Sequence, residues 1–272
     1  MVFPREIAFI TSMHRREFLA TATVATVGLA TGCSSLHSVK PDTHCYELRI
    51  YHIAPGKQAD LLNRFRNHTL ALFRKHGIES IGYWLPVNSG DPRLHFLLRY
   101  PSREAREASW RAFSADPDWK AAYKASEAGG PLVTKVENPF LGVTDYSPVV
   151  RTGDVSHHGV WELRTYVTPP GRLPNLDARF RDHTLALFAK HGMNNYAYFH
   201  KMPDQPEAAV TLIYFLTHQS EAAAKASFDS FRQDPAWTAA RAASEQAAGG
   251  SLTVPDGVKS VFLRATDFSP AQ

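Results

Sequence analysis

The sequence predicts an α+β protein made of two tandem copies of one domain, and three observations carry that reading. Tyr46-Glu47-Leu48-Arg49-Ile50-Tyr51 returns 115 residues later as Trp161-Glu162-Leu163-Arg164-Thr165-Tyr166. At the same offset the run RFRNHTLALF from Arg64 to Phe73 returns as RFRDHTLALF from Arg179 to Phe188, and Lys75-His76-Gly77 returns as Lys190-His191-Gly192. The offset then widens to 118 for Asp116-Pro117-Asp118-Trp119 against Asp234-Pro235-Ala236-Trp237, and to 122 for Thr144–Pro148 against Thr266–Pro270. Similarity kept in order over that length marks duplication of a whole structural unit, with insertions absorbed between its elements.

Each copy reads the same way. Residues 45–53 alternate with β-rich composition, and Pro55-Gly56 ends the strand. Residues 58–76 carry helical periodicity and stop at Gly77, which suits a left-handed cap. Apolar runs at Ile78–Pro86 and Leu94–Tyr100 flank Asn88-Ser89-Gly90-Asp91-Pro92, so they predict a hairpin. Residues 103–115 are helical, and Asp116 caps a further helix whose first turn holds Pro117, where a missing N–H costs nothing. A last strand is expected over 132–145. The order βαββαβ is the ferredoxin-like arrangement. Its helices cover one face of the sheet and leave the other bare. Two copies in one chain are therefore expected to press the bare faces together, or to join edges into a closed barrel, as an intramolecular pseudo-dimer.

Composition narrows the partners. The net charge of +4 is small and the basic residues are scattered among acids, which excludes a phosphate-tracking stripe and a nucleic-acid partner. The first 33 residues read as targeting. His14-Arg15-Arg16-Glu17-Phe18-Leu19 precedes a short apolar stretch, Ala20–Ala30, and small residues lead to Cys33. The stretch is too short to span a bilayer as a mature helix. The arginine pair followed by Phe-Leu resembles a twin-arginine export signal, with Met13 as an alternative start. Ala30-Thr31-Gly32-Cys33 resembles a lipoprotein junction; ordinary cleavage nearby is the alternative. The expected location is the periplasm or the outer membrane, with the twin-arginine machinery as a partner and lipid on Cys33 as the sole membrane contact. The predicted organisation is a signal at 1–33, a linker at 34–44, domain 1 at 45–146, a linker at 147–157 and domain 2 at 158–270. With only Cys33 and Cys45 present no disulfide framework arises, and Cys45 reads as a small core residue.

Candidate chemistry falls on the first strand and first helix of each copy. On a helical wheel Leu61, Phe65, Thr69, Leu72 and His76 share a narrow arc with His68 at its shoulder; Leu176, Phe180, Thr184, Leu187, His191 and His183 repeat it. These imidazoles either face a cavity, to bind a ligand or move protons, or fix the helix to its neighbours. His68 and His76 lie about 12 Å apart along a helix, too far for one metal ion. No CxxC or HExxH run exists, so no metal site is expected, and His157-His158 reads as a solvated linker pair. On the strands Glu47, Arg49 and Tyr51 share one face, and Glu162, Arg164 and Tyr166 repeat the trio. Two readings stand: an ion pair buried at the domain junction, or a pocket in which arginine holds an anion while tyrosine or glutamate handles protons. Arg66 and Arg181 flank the helix face and are further candidates, while Trp110, Trp119 and Trp237 read as core.

Taken in order, Tyr-Glu-Leu-Arg-x-Tyr, Pro-Gly, a helix ending Lys-His-Gly, and Asp-Pro-x-Trp opening a split helix resemble the NIPSNAP family, twice over. That resemblance implies the dimeric α/β-barrel superfamily, whose relatives include cofactor-free monooxygenases, haem-binding enzymes and isomerases. It implies fold more than activity. The leading expectation is an exported protein binding a small organic, anionic molecule between sheet and helices or at the domain junction, without a cofactor. The rival is a cofactor-free or haem-assisted oxidoreductase or isomerase.

Overall fold

The computed structural model describes residues 42–88, 90–153 and 159–270. The targeting segment at 1–33 and the pair His157-His158 lie outside the described residues. In the first half, β1 (Cys45–Ile53) leads to a helix of three parts: α1 (Gln58–Arg64), a π turn (Phe65–Thr69) and α2 (Leu70–Lys75). The hairpin β2 (Glu79–Pro86) and β3 (Arg93–Tyr100) follows, then α3 (Arg103–Ala115), α4 (Pro117–Ser126), β4 (Val133–Glu137) and β5 (Phe140–Val143). The second half repeats this as β6 (Val160–Val167), α5 (Leu173–Arg179), a π turn (Phe180–Thr184), α6 (Leu185–Lys190), β7 (Asn194–Lys201), β8 (Thr211–His218), α7 (Glu221–Gln233), α8 (Pro235–Ala247) and β9 (Val258–Ala265).

Local chemistry explains most boundaries. Gly77 and Gly192 adopt the left-handed conformation (φ 69° and 79°) just past α2 and α6. Ser102 and Ser220 accept from the amides of Ala105 and Ala223 and start α3 and α7. Asp116 and Asp234 accept from Asp118 and Ala236 and start α4 and α8 with proline at the first turn. The strand expected over 132–145 is broken in two. Pro139 has no N–H to offer the ladder, so pairing lapses at Asn138-Pro139. The helical wheel also needs correction. A π turn inserts one residue and delays the wheel by roughly a quarter turn, which brings Phe73 and Phe188 into the core and leaves His68 and His183 exposed.

The strands close on themselves. Antiparallel pairings run β1–β3–β2–β9–β6–β8–β7–β5 and back to β1, with β4 flanking β1. The two halves meet where β2 pairs with β9 and β5 with β7, so no half keeps both of its own edges. Of the two arrangements expected, the joined edges form the barrel. Its interior is packed with residues of both halves: Tyr46, Leu48, Trp84 and Leu97 from the first, Trp161, Phe199 and Phe215 from the second. The rings of Trp84 and Trp161 lie 5.1 Å apart at the centre. Separate apolar layers fill the space between the outer face of each half and its helices.

Each half also latches onto the other. Arg66 on the first helix grips Asp267 with two bonds of 3.0 and 2.8 Å, and Arg181 grips Asp145 at 2.8 and 2.7 Å. Ser147 Oγ accepts from the Tyr198 amide, and Ser269 Oγ accepts from the Tyr83 amide. Phe268 stacks near Phe65 while Tyr146 stacks near Phe180. The repeated motif Thr-Asp-Tyr/Phe-Ser-Pro is thus a reciprocal clasp, and one residue of the segment read as a linker, Val150, is built into the core.

Candidate functional site

Alternation along β1 and β6 sorts their side chains. Tyr46, Leu48 and Ile50 enter the barrel, whereas Glu47, Arg49 and Tyr51 point outward beneath the helices. This corrects the reading that placed the Glu–Arg pair at the domain junction; the junction is the apolar barrel interior. Arg49 bonds Glu47, donates to the Tyr51 hydroxyl at 3.2 Å and lies over the Trp110 ring at 4.3 Å. Arg164 likewise bonds Glu162, donates to Tyr166 at 3.1 Å and Tyr214 at 2.9 Å, and lies over Phe228. Burial drives both carboxyls up, but the Arg106 and Arg49 contacts hold Glu47 below its ordinary value, and His218 with Arg164 does the same for Glu162. The two glutamates share a role with different partners. Glu47 accepts from Arg106, Tyr100 and Asn138, while Glu162 is bonded by His218 and Ser260.

Beyond each tyrosine opens a cavity between sheet and helices, of 280 Å³ in the first half and 300 Å³ in the second. Their linings correspond across the repeat. Tyr51, Arg64, Thr69, Trp119 and Glu127 line the first; Tyr166, Arg179, Thr184, Trp237 and Glu245 line the second. The π turns create the opening. Thr69 and Thr184 donate their hydroxyls to the carbonyls of Arg64 and Arg179, at 3.2 and 3.0 Å, so each buried arginine sits where the helix widens. Such single-turn bulges recur at functional sites. A larger hollow of 560 Å³ lies at the start of β1 and the end of β7, but it is more open and its His200 and His44 are already bonded to Asp177 and Asp42. The less open pair, with buried charge inside, is the better candidate site.

The structure places the sequence candidates in three groups. Tyr51, Tyr166 and Arg164 line the cavities, while Arg49, Glu47 and Glu162 stand behind them as the support of the tyrosines. His76 and His191 turn away and bond Asp116 and Asp234 at 2.6 and 2.8 Å, tying the first helix to the cap of the split one. His68 and His183 are exposed, and Arg66 and Arg181 form the clasp. Arg64, Arg179, Thr69, Thr184, Glu127 and Glu245 were not singled out from sequence. Their signal was present in the repeated Arg-Phe-Arg-x-His-Thr-Leu and Ser-Glu pairs, but nothing in one sequence marks a π turn. Trp119 and Trp237, read as core, wall the cavities.

Neither cavity contains a histidine, cysteine or methionine, so the residues there do not fit haem held by those ligands. Among the described residues no group of three or more His, Cys, Asp or Glu gathers as a metal site. Cys45 is fully buried, and burial pushes its thiol up to about 11, far from the thiolate a nucleophile needs.

A closed barrel of two α+β halves with outer helices defines the class, the dimeric α/β-barrel type. An anthrone oxidase-like protein superposes with a TM-score of 0.57 at 14% identity, covering 85% of this chain and 95% of that one. A putative monooxygenase from Lactobacillus acidophilus superposes at 0.52 with 11% identity, covering 82% and 94%. At such identities the likeness is one of fold. The NIPSNAP family pattern matches residues 46–148 and again 161–270, and the chain belongs to that family. The NipSnap homolog 3B of Mus musculus is 28% identical over 127 residues, 46% of this chain and 49% of that protein. The chain spans about half the length of the curated relatives it matches.

Proposed function

We propose that this protein is an exported NIPSNAP-type binder of a small organic molecule, its two ferredoxin-like halves forming one internal pseudo-dimer. The observation that carries the reading is the recurrence of one half-enclosed cavity in both halves, built each time from an arginine-bonded tyrosine, a buried arginine just before a π turn and a tryptophan wall. A structural core has no need of a charged, hollow centre, because burying a guanidinium costs free energy that packing alone does not return. The aromatic walls suit a ring or a short acyl chain, and the arginine suits an anionic group. Export rests on the arginine pair and short apolar stretch of the leader, with periplasmic or lipid-anchored delivery through Cys33.

A second reading has its own support. Tyr51 and Tyr166 each accept a hydrogen bond from a buried guanidinium, the placement that would steady a phenolate during proton transfer. Tyrosine acid–base chemistry in a barrel of this type suits a cofactor-free oxidoreductase or isomerase. Native mass spectrometry of protein freshly exported by its own leader tests the primary reading. A retained small-molecule mass, lost when Trp237→Ala removes the wall of the second cavity or Trp119→Ala that of the first, is the expected result. Folded protein that carries no adduct and binds nothing from an extract of its own compartment would refute it.

A further inference from the structure

The two cavities differ in one respect that sets their chemistry. In the first half Arg64 donates to Ser126 at 3.2 Å and to Glu127 at 3.1 Å, so its charge is answered within the protein. In the second half the corresponding Glu245 is drawn aside by Arg241, whose Nε donates to it at 3.1 Å. Arg241 stands where the first copy has Tyr123, which carries no charge to compete. Among the described residues Arg179 is left with Glu245 at 3.8 Å as its nearest carboxylate and with no hydrogen bond from its side chain. Only 6% of its surface is exposed, and it lies 5.1 Å from the Trp237 ring. Burial draws its pKa below the ordinary arginine value, the mark of a desolvated cation without adequate counter-charge. Arg164 does not relieve this, because it is already spent on Glu162 and two tyrosines.

Building on the binding function proposed above, we propose that the second-half cavity alone is the anion site, and that it takes a small apolar carboxylate. The carboxylate's two oxygens match the planar fork of Arg179, and its ring or chain lies among Phe180, Phe228, Phe231 and Trp237. Arg164, Arg232 and Arg241 of the same lining are hydrogen-bonded to Glu162, Asp229 and Glu245. Among the described residues Arg179, with a counter-ion only at 3.8 Å, is therefore the one cation there that calls for a further anion, and a monoanion answers it. The volume of 300 Å³ stands at the lower end for ligand pockets, which limits the guest to one ring or a short acyl chain. The first cavity, self-neutralised, has no such demand.

Ligand-observed NMR and calorimetry on the full mature chain, with benzoate and hexanoate as probes and benzyl alcohol as neutral control, test the assignment. One carboxylate per chain is expected, with benzyl alcohol much weaker. Arg179→Gln should lower benzoate affinity about tenfold to a hundredfold. Arg241→Tyr changes an exposed residue and leaves Arg179 in place, but frees Glu245 to neutralise it. It should weaken benzoate to a similar degree, which guards against a misfolded Arg179 variant. Tyr123→Arg should create a second carboxylate site in the first half. Two equal sites in the wild type, or undiminished benzoate binding by Arg241→Tyr, would overturn the assignment while leaving small-molecule binding intact. Failure of both carboxylates alongside a retained neutral adduct in mass spectrometry would overturn it too. Absence of any adduct or probe binding would remove both proposals.

Discussion

Glu47 offers the sharpest test of what the polar layer beneath the helices does. It is fully buried and accepts from Arg49, from Arg106 at 3.1 and 2.7 Å, from Tyr100 at 3.2 Å and from Asn138 at 3.2 Å. Glu47→Gln keeps the shape but leaves two largely buried guanidinia sharing no anion in their centre. Removing one partner of a buried ion pair costs about 3–5 kcal/mol. For a domain of this size that is a fall in melting temperature of roughly 6–20 °C. Glu162→Gln should cost less, at the lower end of that range, because it strands one guanidinium that still has two tyrosine partners. The pH dependence supplies a second readout. Glu47 has its carboxyl held below the unfolded value of 4.5, so its stabilisation is complete above pH 4.5 and is lost as the pH falls through the lower folded value. Urea unfolding of both proteins between pH 7 and pH 3 should therefore show a gap that is widest at neutral pH and narrows in acid. A Glu47→Gln protein within about 1 kcal/mol of wild type at pH 7, or a gap that ignores pH, would show that the layer is not held by this carboxylate.

Other expectations are simpler to check. A Cβ on Gly82 would come within 2.4 Å of the buried Trp84 ring, whereas the second copy pairs Ala197 with the smaller Phe199. Gly82→Ala should cost about 1–3 kcal/mol, and Gly82→Ala with Trp84→Phe should be more stable than the sum of the single changes, as read by melting temperature. Residues 34–150 expressed alone expose the barrel face of Tyr46, Leu48 and Trp84 and should dimerise, as analytical ultracentrifugation would show; a folded monomer would contradict the pseudo-dimer. Arg15→Lys with Arg16→Lys should trap the precursor in the cytoplasm, and an unchanged exported yield on fractionation would dismiss the twin-arginine reading.

Much of the fold was legible because local rules wrote it. The glycine after each first helix and the Asp-Pro caps each act within a few residues, and the duplication confirms them by repeating them. The trio on the first strand was legible to the same degree: a period of two shows that Glu47, Arg49 and Tyr51 share a face. It does not show what covers that face. The barrel interior and the helix layer both bury side chains, and only the closure of β2 on β9 and β5 on β7 decides that the aromatic set turns inward and the charged set lies beneath the helices. The clasp of Arg66 on Asp267 spans 201 residues, and the pairing of Arg64 with Glu127 spans 63, so neither leaves a local trace. The π turn is the clearest case. RFRNHTL reads as ordinary helix, and the extra residue that opens the cavity is stabilised by a threonine hydroxyl on an arginine carbonyl and by the packing of Phe65 and Phe73 on the sheet. Sequence alone determined the repeat, the elements and which side chains travel together, since these follow from spacing along the chain. Tertiary structure alone decided which arginine holds its counter-ion at hydrogen-bond distance and which does not, because charge compensation in a buried site depends on groups brought together from distant parts of the chain.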